Sequence, residues 1–142
     1  MDEKLKKFLS SGILSAWKNA NPILQDDGSY LDDDGDKYWL NKAGDLHRLD
    51  GPAVIGLDGR KSWYLNGQRH RLDGPAIIYS TGSKYWFIHG QYHREDGPAI
   101  IDSDGRKAWF INGELHSYVE WYLKVNPDMS KADKVKLVMA HG

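Results

Sequence analysis

From Gly28 to His116 the chain alternates short apolar runs with turn residues, and the alternation keeps a fixed order. "PAVIG", "PAIIY" and "PAIID" are each followed a few residues later by "KSWYL", "KYWFI" or "KAWFI". Runs of this length, rich in Val, Ile and aromatic residues, predict short β-strands. Asp58-Gly59, Asp104-Gly105, Asn66-Gly67 and Asn112-Gly113 fall between them. Such dipeptides favour type I′ hairpin turns, which need positive φ at both central residues. The prolines at 52, 75 and 98 open the first strand of each pair, where a missing N–H does least harm. On the second strand, alternation places Lys61, Trp63 and Leu65 on one face and Ser62, Tyr64 and Asn66 on the other. The next copies continue both columns through Lys84, Trp86, Lys107 and Trp109, and through Phe87 and Phe110. Both faces are apolar enough to need covering.

The period is 23 residues: His47, His70, His93 and His116 are evenly spaced, as are Gly51-Pro52, Gly74-Pro75 and Gly97-Pro98. A degraded earlier copy keeps Gly35, Lys37 and Trp39. Amphipathic segments flank the array. Leu5, Phe8, Leu9, Ile13, Ala16 and Trp17 fall on one helical stripe. Ser117 and Glu120 form a capping-box pattern that starts a second helix, Pro127 follows it, and "SKADKVKLVMA" predicts a third. The expected fold is mostly β with flanking helices: an elongated antiparallel meander of hairpin repeats in a single domain, with an N-terminal helical cap (1–24), repeats (25–116) and C-terminal helices (117–142).

The unit Gly-x-x-His-Arg-x-Asp-Gly-Pro-Ala, then Asp-Gly-x-Lys-x-Trp-Tyr/Phe-x-Asn-Gly, resembles the divergent MORN-like repeats encoded by bacteria and tailed phages. The likeness runs from about Gly28 to His116. It implies hairpins in an elongated twisted sheet, and a scaffold for binding other molecules. Bacterial relatives include antitoxins, and the phage-like character implies a small accessory protein that blocks a host factor. His-Arg and Gly-Pro-Ala replace other Gly-containing turns of the common pattern, so the lipid binding behind the family's name is not carried over.

Composition narrows the chemistry. Nineteen Lys and Arg against twenty Asp and Glu give a net charge of −1, which excludes a large basic field for wrapping nucleic acid. With no cysteine there is no disulfide, thiolate nucleophile or Cys-ligated zinc. No apolar run suits a signal peptide or a membrane span, so a cytoplasmic, membrane-free protein is expected. Histidines two strands apart would lie roughly 9–10 Å from one another, too far to share a metal, and no metal or other cofactor is expected. "DDDGD" at 32–36 lacks the closing Glu of a calcium loop and reads as a turn.

His70, Arg71 and Asp73 have the residue types of a catalytic site, yet His93, Arg94 and Asp96 repeat them. Copied constellations are normally structural. The expected roles are an Asp ordering its turn, an Arg reaching an Asp of its own or the next repeat, and an imidazole satisfying a backbone carbonyl. The Lys61–Trp63, Lys84–Trp86 and Lys107–Trp109 column is the better binding candidate. Cations beside stackable rings suit a nucleotide or an acidic protein surface. The plainer reading lays the Lys methylenes over the Trp faces as a solvated lid. The expected function is therefore non-enzymatic protein binding, with a nucleotide sponge on the Lys/Trp or His/Arg columns as the alternative. An enzyme would need a non-repeated site, for which His89 and His141, which break the register, are the candidates. An open sheet edge would also allow homo-oligomers.

Overall fold

Trp63 is where each repeat bends. In the computed structural model, which describes residues 2–10 and 22–142 (side chains of 8–10 aside), the predicted second strand is two strands that pair with different neighbours. β1 (Ile23–Leu24), β2 (Tyr30–Leu31), β3 (Lys37–Tyr38), β4 (Val54–Ile55) and β5 (Lys61–Ser62) are followed by β6 (Tyr64–Leu65) and β7 (Gln68–Arg69). Next come β8 (Ile77–Ile78), β9 (Lys84–Tyr85), β10 (Phe87–Ile88), β11 (Gln91–Tyr92), β12 (Ile100–Ile101), β13 (Lys107–Ile111) and β14 (Glu114–His116). Ten strands form one antiparallel sheet in the order β1-β2-β3-β4-β5-β8-β9-β12-β13-β14. The β6–β7 and β10–β11 hairpins stand outside that ladder. The switch is visible at Trp63 itself, whose N–H donates to Ala76 while its carbonyl accepts from His70. Trp86 repeats the switch with Ala99 and His93. The expected antiparallel meander of hairpins with flanking helices is present. Beyond it, two repeats each place a second hairpin, β6–β7 or β10–β11, beside the main sheet, while β13–β14 ends that sheet.

The second row is continuous through backbone bonds. Gly67 N–H donates to Leu46 O, Gly90 to Arg69 O and Gly113 to Tyr92 O, and the N–H groups of Arg48, Arg71 and Arg94 reach the carbonyls of Tyr64, Phe87 and Phe110. Its turns are of type I′: Asn66, His89 and Asn112 have φ of 48–49°, and the glycine after each is also positive. The Asp-Gly turns differ, because there only the glycine has positive φ. Gly56 N–H bonds Arg60 O and Gly59 N–H bonds Gly56 O, closing a longer loop in which Asp58 accepts from Arg60 N–H.

The core lies on one face of the main sheet. Tyr30, Tyr38, Val54, Ser62 and Ile77 are buried, and by register they occupy one row. Leu5, Leu40, Leu46 and Tyr64 join Tyr30, Tyr38 and Val54. Further along, Ala76, Ile77 and Phe87 pack with Tyr79, Tyr85 and Tyr92. Tyr64 and Phe87, placed in one column by the alternation, both pack into the core.

Helices close the ends. α1 (Glu3–Ser10) buries Leu5 and is tied to β2, where Tyr30 donates its hydroxyl to Asp2. Burial, and secondarily this carboxylate, push the Tyr30 pKa up to about 12. Ile13, Ala16 and Trp17 of the predicted stripe lie outside the described residues. α2 (Tyr118–Val125) starts with the predicted capping box between Ser117 and Glu120 and packs on β13 and β14. α3 (Lys131–His141) packs on α2. Among the described residues no helix is long and apolar enough to cross a membrane.

Candidate functional site

Each Arg of the His-Arg pair is held on every side. The Arg71 guanidinium carbon lies 3.8 Å from the centre of the Trp63 ring. Its Nε donates to Asp73 at 3.0 Å and its Nη1 to the Pro75 carbonyl at 3.1 Å. Arg48 repeats the arrangement on Trp39, with Asp50 and Pro52, and Arg94 on Trp86, with Asp96 and Pro98. Opposite the ring sits the glycine of the Gly-Pro pair. A Cβ added to Gly74 would stand 3.0 Å from the Arg71 guanidinium carbon, and one on Gly97 would stand 2.7 Å from that of Arg94. The glycine is needed here for close approach, since the positive-φ glycines of the chain lie elsewhere. Arg therefore reaches the Asp of its own repeat, as expected, and the Asp carboxylate serves the guanidinium.

The histidines join successive repeats. Nδ1 of His47 accepts from the N–H of Asn66, His70 from His89 and His93 from Asn112, each at 3.0 Å. The imidazole was expected to serve a carbonyl. It is an acceptor instead, because type I′ turns aim the first turn N–H at the preceding repeat. That bond requires Nδ1 to be unprotonated. His70 also packs against His89, with ring centres 4.5 Å apart and the planes tilted by 39°, and its pKa is lowered, first by burial and then by the charge of His89. Among the described residues no group of three or more His, Cys, Asp or Glu is placed to hold a metal.

The last repeat departs from the pattern. Ser117 stands where the fourth Arg would be, and aromatic rings of α2 take its place on Trp109. Trp121 is 4.6 Å and Tyr118 5.0 Å from that ring, centre to centre, and Trp121 Nε1 donates to the Arg94 carbonyl at 2.8 Å. The missing Arg is the one mark of this substitution legible along the chain.

Among the described residues, two open surfaces bear on binding. The first is a pair of grooves between successive His-Arg loops. One, of about 550 Å³, is lined by Trp63, Leu65, His70, Arg71 and the exposed Leu49 and Leu72. Its neighbour, of about 610 Å³, is lined by Trp86, Ile88, His93, Arg94 and Glu95. Asp50, Asp73 and Asp96 stand on their rims, 85–86% exposed.

The second is the face of the main sheet opposite the core. Lys37 pairs with Ile55, Ile55 with Lys61, Lys61 with Ile78, Ile78 with Lys84, Lys84 with Ile101 and Ile101 with Lys107. Directly paired residues project from the same side of a sheet, so this is one row in which lysine and isoleucine alternate. Lys61, Lys84 and Lys107 are exposed, and the isoleucines between them are half-buried. Lys37 is bonded to Asp27 at 3.1 Å. Among the described residues no carboxylate pairs with the other three lysines. The cations stacked on Trp39, Trp63 and Trp86 are arginines. The expected Lys-over-Trp lid is thus replaced by Arg, and the lysines are brought together with isoleucines.

Compared with protein-family models, with curated proteins and with solved structures, the chain finds no significant match.

Proposed function

We propose that this protein is a non-enzymatic protein-binding module built on MORN-like repeats, and that it acts as small phage- or bacterium-encoded inhibitors and antitoxin-like proteins do, by occupying a host factor. The observation that carries this reading is how the repeat divides its polar residues. Its Arg is bonded to Asp and covers Trp63, Trp86 or their equivalents, and its His accepts a turn N–H of the next repeat. Its lysines are left in a long exposed row across the sheet. Extended faces with recurring side chains suit a macromolecular partner better than a small substrate. Affinity capture from host lysate followed by mutual titration of the purified pair tests this. A saturable complex is expected, and a chain that retains no protein at micromolar concentration refutes it.

The grooves beside Trp63 and Trp86 favour a second reading, a nucleotide sponge, since each has room for a nucleotide-sized ligand. Their acidic rims and already bonded arginines oppose a phosphate. Thermal-shift measurements with nucleotides separate the two: stabilisation by about 3 kcal/mol at a hundredfold excess over Kd would favour the sponge.

A further inference from the structure

We infer that the lysine–isoleucine row on the open face of the main sheet docks an extended acidic segment of a protein partner, with carboxylates at every third residue and apolar residues between. This rests on the protein-binding reading and names the surface and the chemistry of the partner. Lys61, Lys84 and Lys107 are exposed and carry no carboxylate among the described residues, whereas Arg48, Arg71 and Arg94 of the His-Arg pairs are each bonded to an Asp. Three cations without a carboxylate partner thus stand in one row on this face, interleaved with Ile55, Ile78 and Ile101.

Spacing selects the occupant. Successive lysines are two strands apart, about 9.6 Å at ordinary strand separation. An extended polyproline-type chain advances about 9.3 Å in three residues, so every third side chain would meet a lysine. Strands also rotate by roughly 20–25° each, turning the row by about 45° per repeat. An extended chain can follow that turn, while a straight helix leaves the surface after one or two lysines.

A nucleic-acid strand fits less well. Bases want aromatic platforms, and here aliphatic side chains lie between the cations while Trp39, Trp63 and Trp86 are covered by arginine.

The test titrates a fluorescent peptide of about fifteen residues, a Glu-Val-Pro repeat, with the full chain. It is compared with a scrambled peptide of the same composition, oligodeoxythymidylate of equal charge and phosphatidylserine vesicles. The expected result is salt-sensitive binding of the ordered peptide, tighter than of the scrambled one. Combining Lys61→Gln, Lys84→Gln and Lys107→Gln should weaken it about tenfold, since each exposed pair contributes modestly. An equal charge loss on α3, by Lys131→Gln, Lys134→Gln and Lys136→Gln, should leave binding unchanged. Should the triple sheet variant fail to fold, Lys84→Gln alone, with about a twofold loss expected, carries the test. No binding, equal loss in both triple variants, or tighter binding of the oligonucleotide or vesicles overturns the proposal. A protein partner that binds native chain and sheet variant equally well would overturn this surface while leaving the protein-binding reading standing.

Discussion

The Arg71 guanidinium lies between the Trp63 ring and Gly74, with Asp73 and the Pro75 carbonyl at its edges. These contacts are not equal. Asp73 is 86% exposed, so its ion pair is screened and contributes about 0–1 kcal/mol. The half-buried cation–π contact and the carbonyl bond together contribute about 2–3 kcal/mol. Arg71→Ala should therefore lower stability by about 2–3 kcal/mol in denaturant melts, and Asp73→Ala by less than about 1 kcal/mol. Equal losses would mean that the ion pair dominates. Gly97→Ala should displace Arg94 from Trp86 and shift the tryptophan emission, because its Cβ has no room. His70 adds a pH dependence. His70 has a lowered pKa in the fold, so the unfolded chain takes up the proton first as pH falls below about 6.5. Its contribution is fully present above that value and is lost as pH falls through the folded pKa. Amide exchange at His89, whose N–H bonds His70 Nδ1, should accelerate over this window. His89→Asn should raise the His70 pKa only in part, since burial is the larger cause. A fully restored value would make His89 the main cause.

At the level of elements, α2 completes the array by imitating a repeat. Trp121 is buried on Trp109 and bonds the Arg94 carbonyl, so the helix covers the ring that an arginine covers elsewhere. Trp121→Ala should cost about 3–5 kcal/mol, the usual range for a buried Trp truncation. Ser117→Ala, which removes the cap alone, should cost about 1 kcal/mol. If the two cost the same in equilibrium unfolding, α2 is held by its cap and not by the ring stack. This helix was legible from Ser117 and Glu120, because capping is local chemistry. The bend at Trp63 was not. Trp63, Tyr64 and Leu65 keep a regular apolar alternation through the bend, with no Gly or Pro to mark it, and the change of partner depends on Ala76 and His70 of the neighbouring strands. The lysine–isoleucine row was hidden for the same reason. Lys61 and Trp63 share a strand and so read as a column, whereas Lys61 and Ile78 meet only once the register is set. The Asn-Gly turns were legible in conformation, but not in their bond to a histidine nineteen residues earlier.

Over the whole molecule the recurring contacts have a consequence for length. The contacts made by the His-Arg pairs recur: His47 to Asn66, His70 to His89, His93 to Asn112, and Arg over Trp three times. Stability in such an array is close to a sum of repeats and their interfaces. Removing residues 70–92, one full period, joins Arg69 to His93. Arg94 then meets Trp63 in place of Arg71, His93 keeps Asn112, and both helical ends keep their own neighbours. The shortened chain should fold with the same β signature and unfold cooperatively, and its m-value should fall by roughly a sixth, in proportion to the surface removed. A deletion of residues 70–87 takes out a length that is not a period, which brings Ile88-His89 where His-Arg is required and leaves Trp63 bare. That chain should not fold. If both deletions behaved alike, the contacts between repeats would not be what specifies the register, and the Arg–Trp and His–turn bonds would be ornaments on a sheet held together by its core face alone.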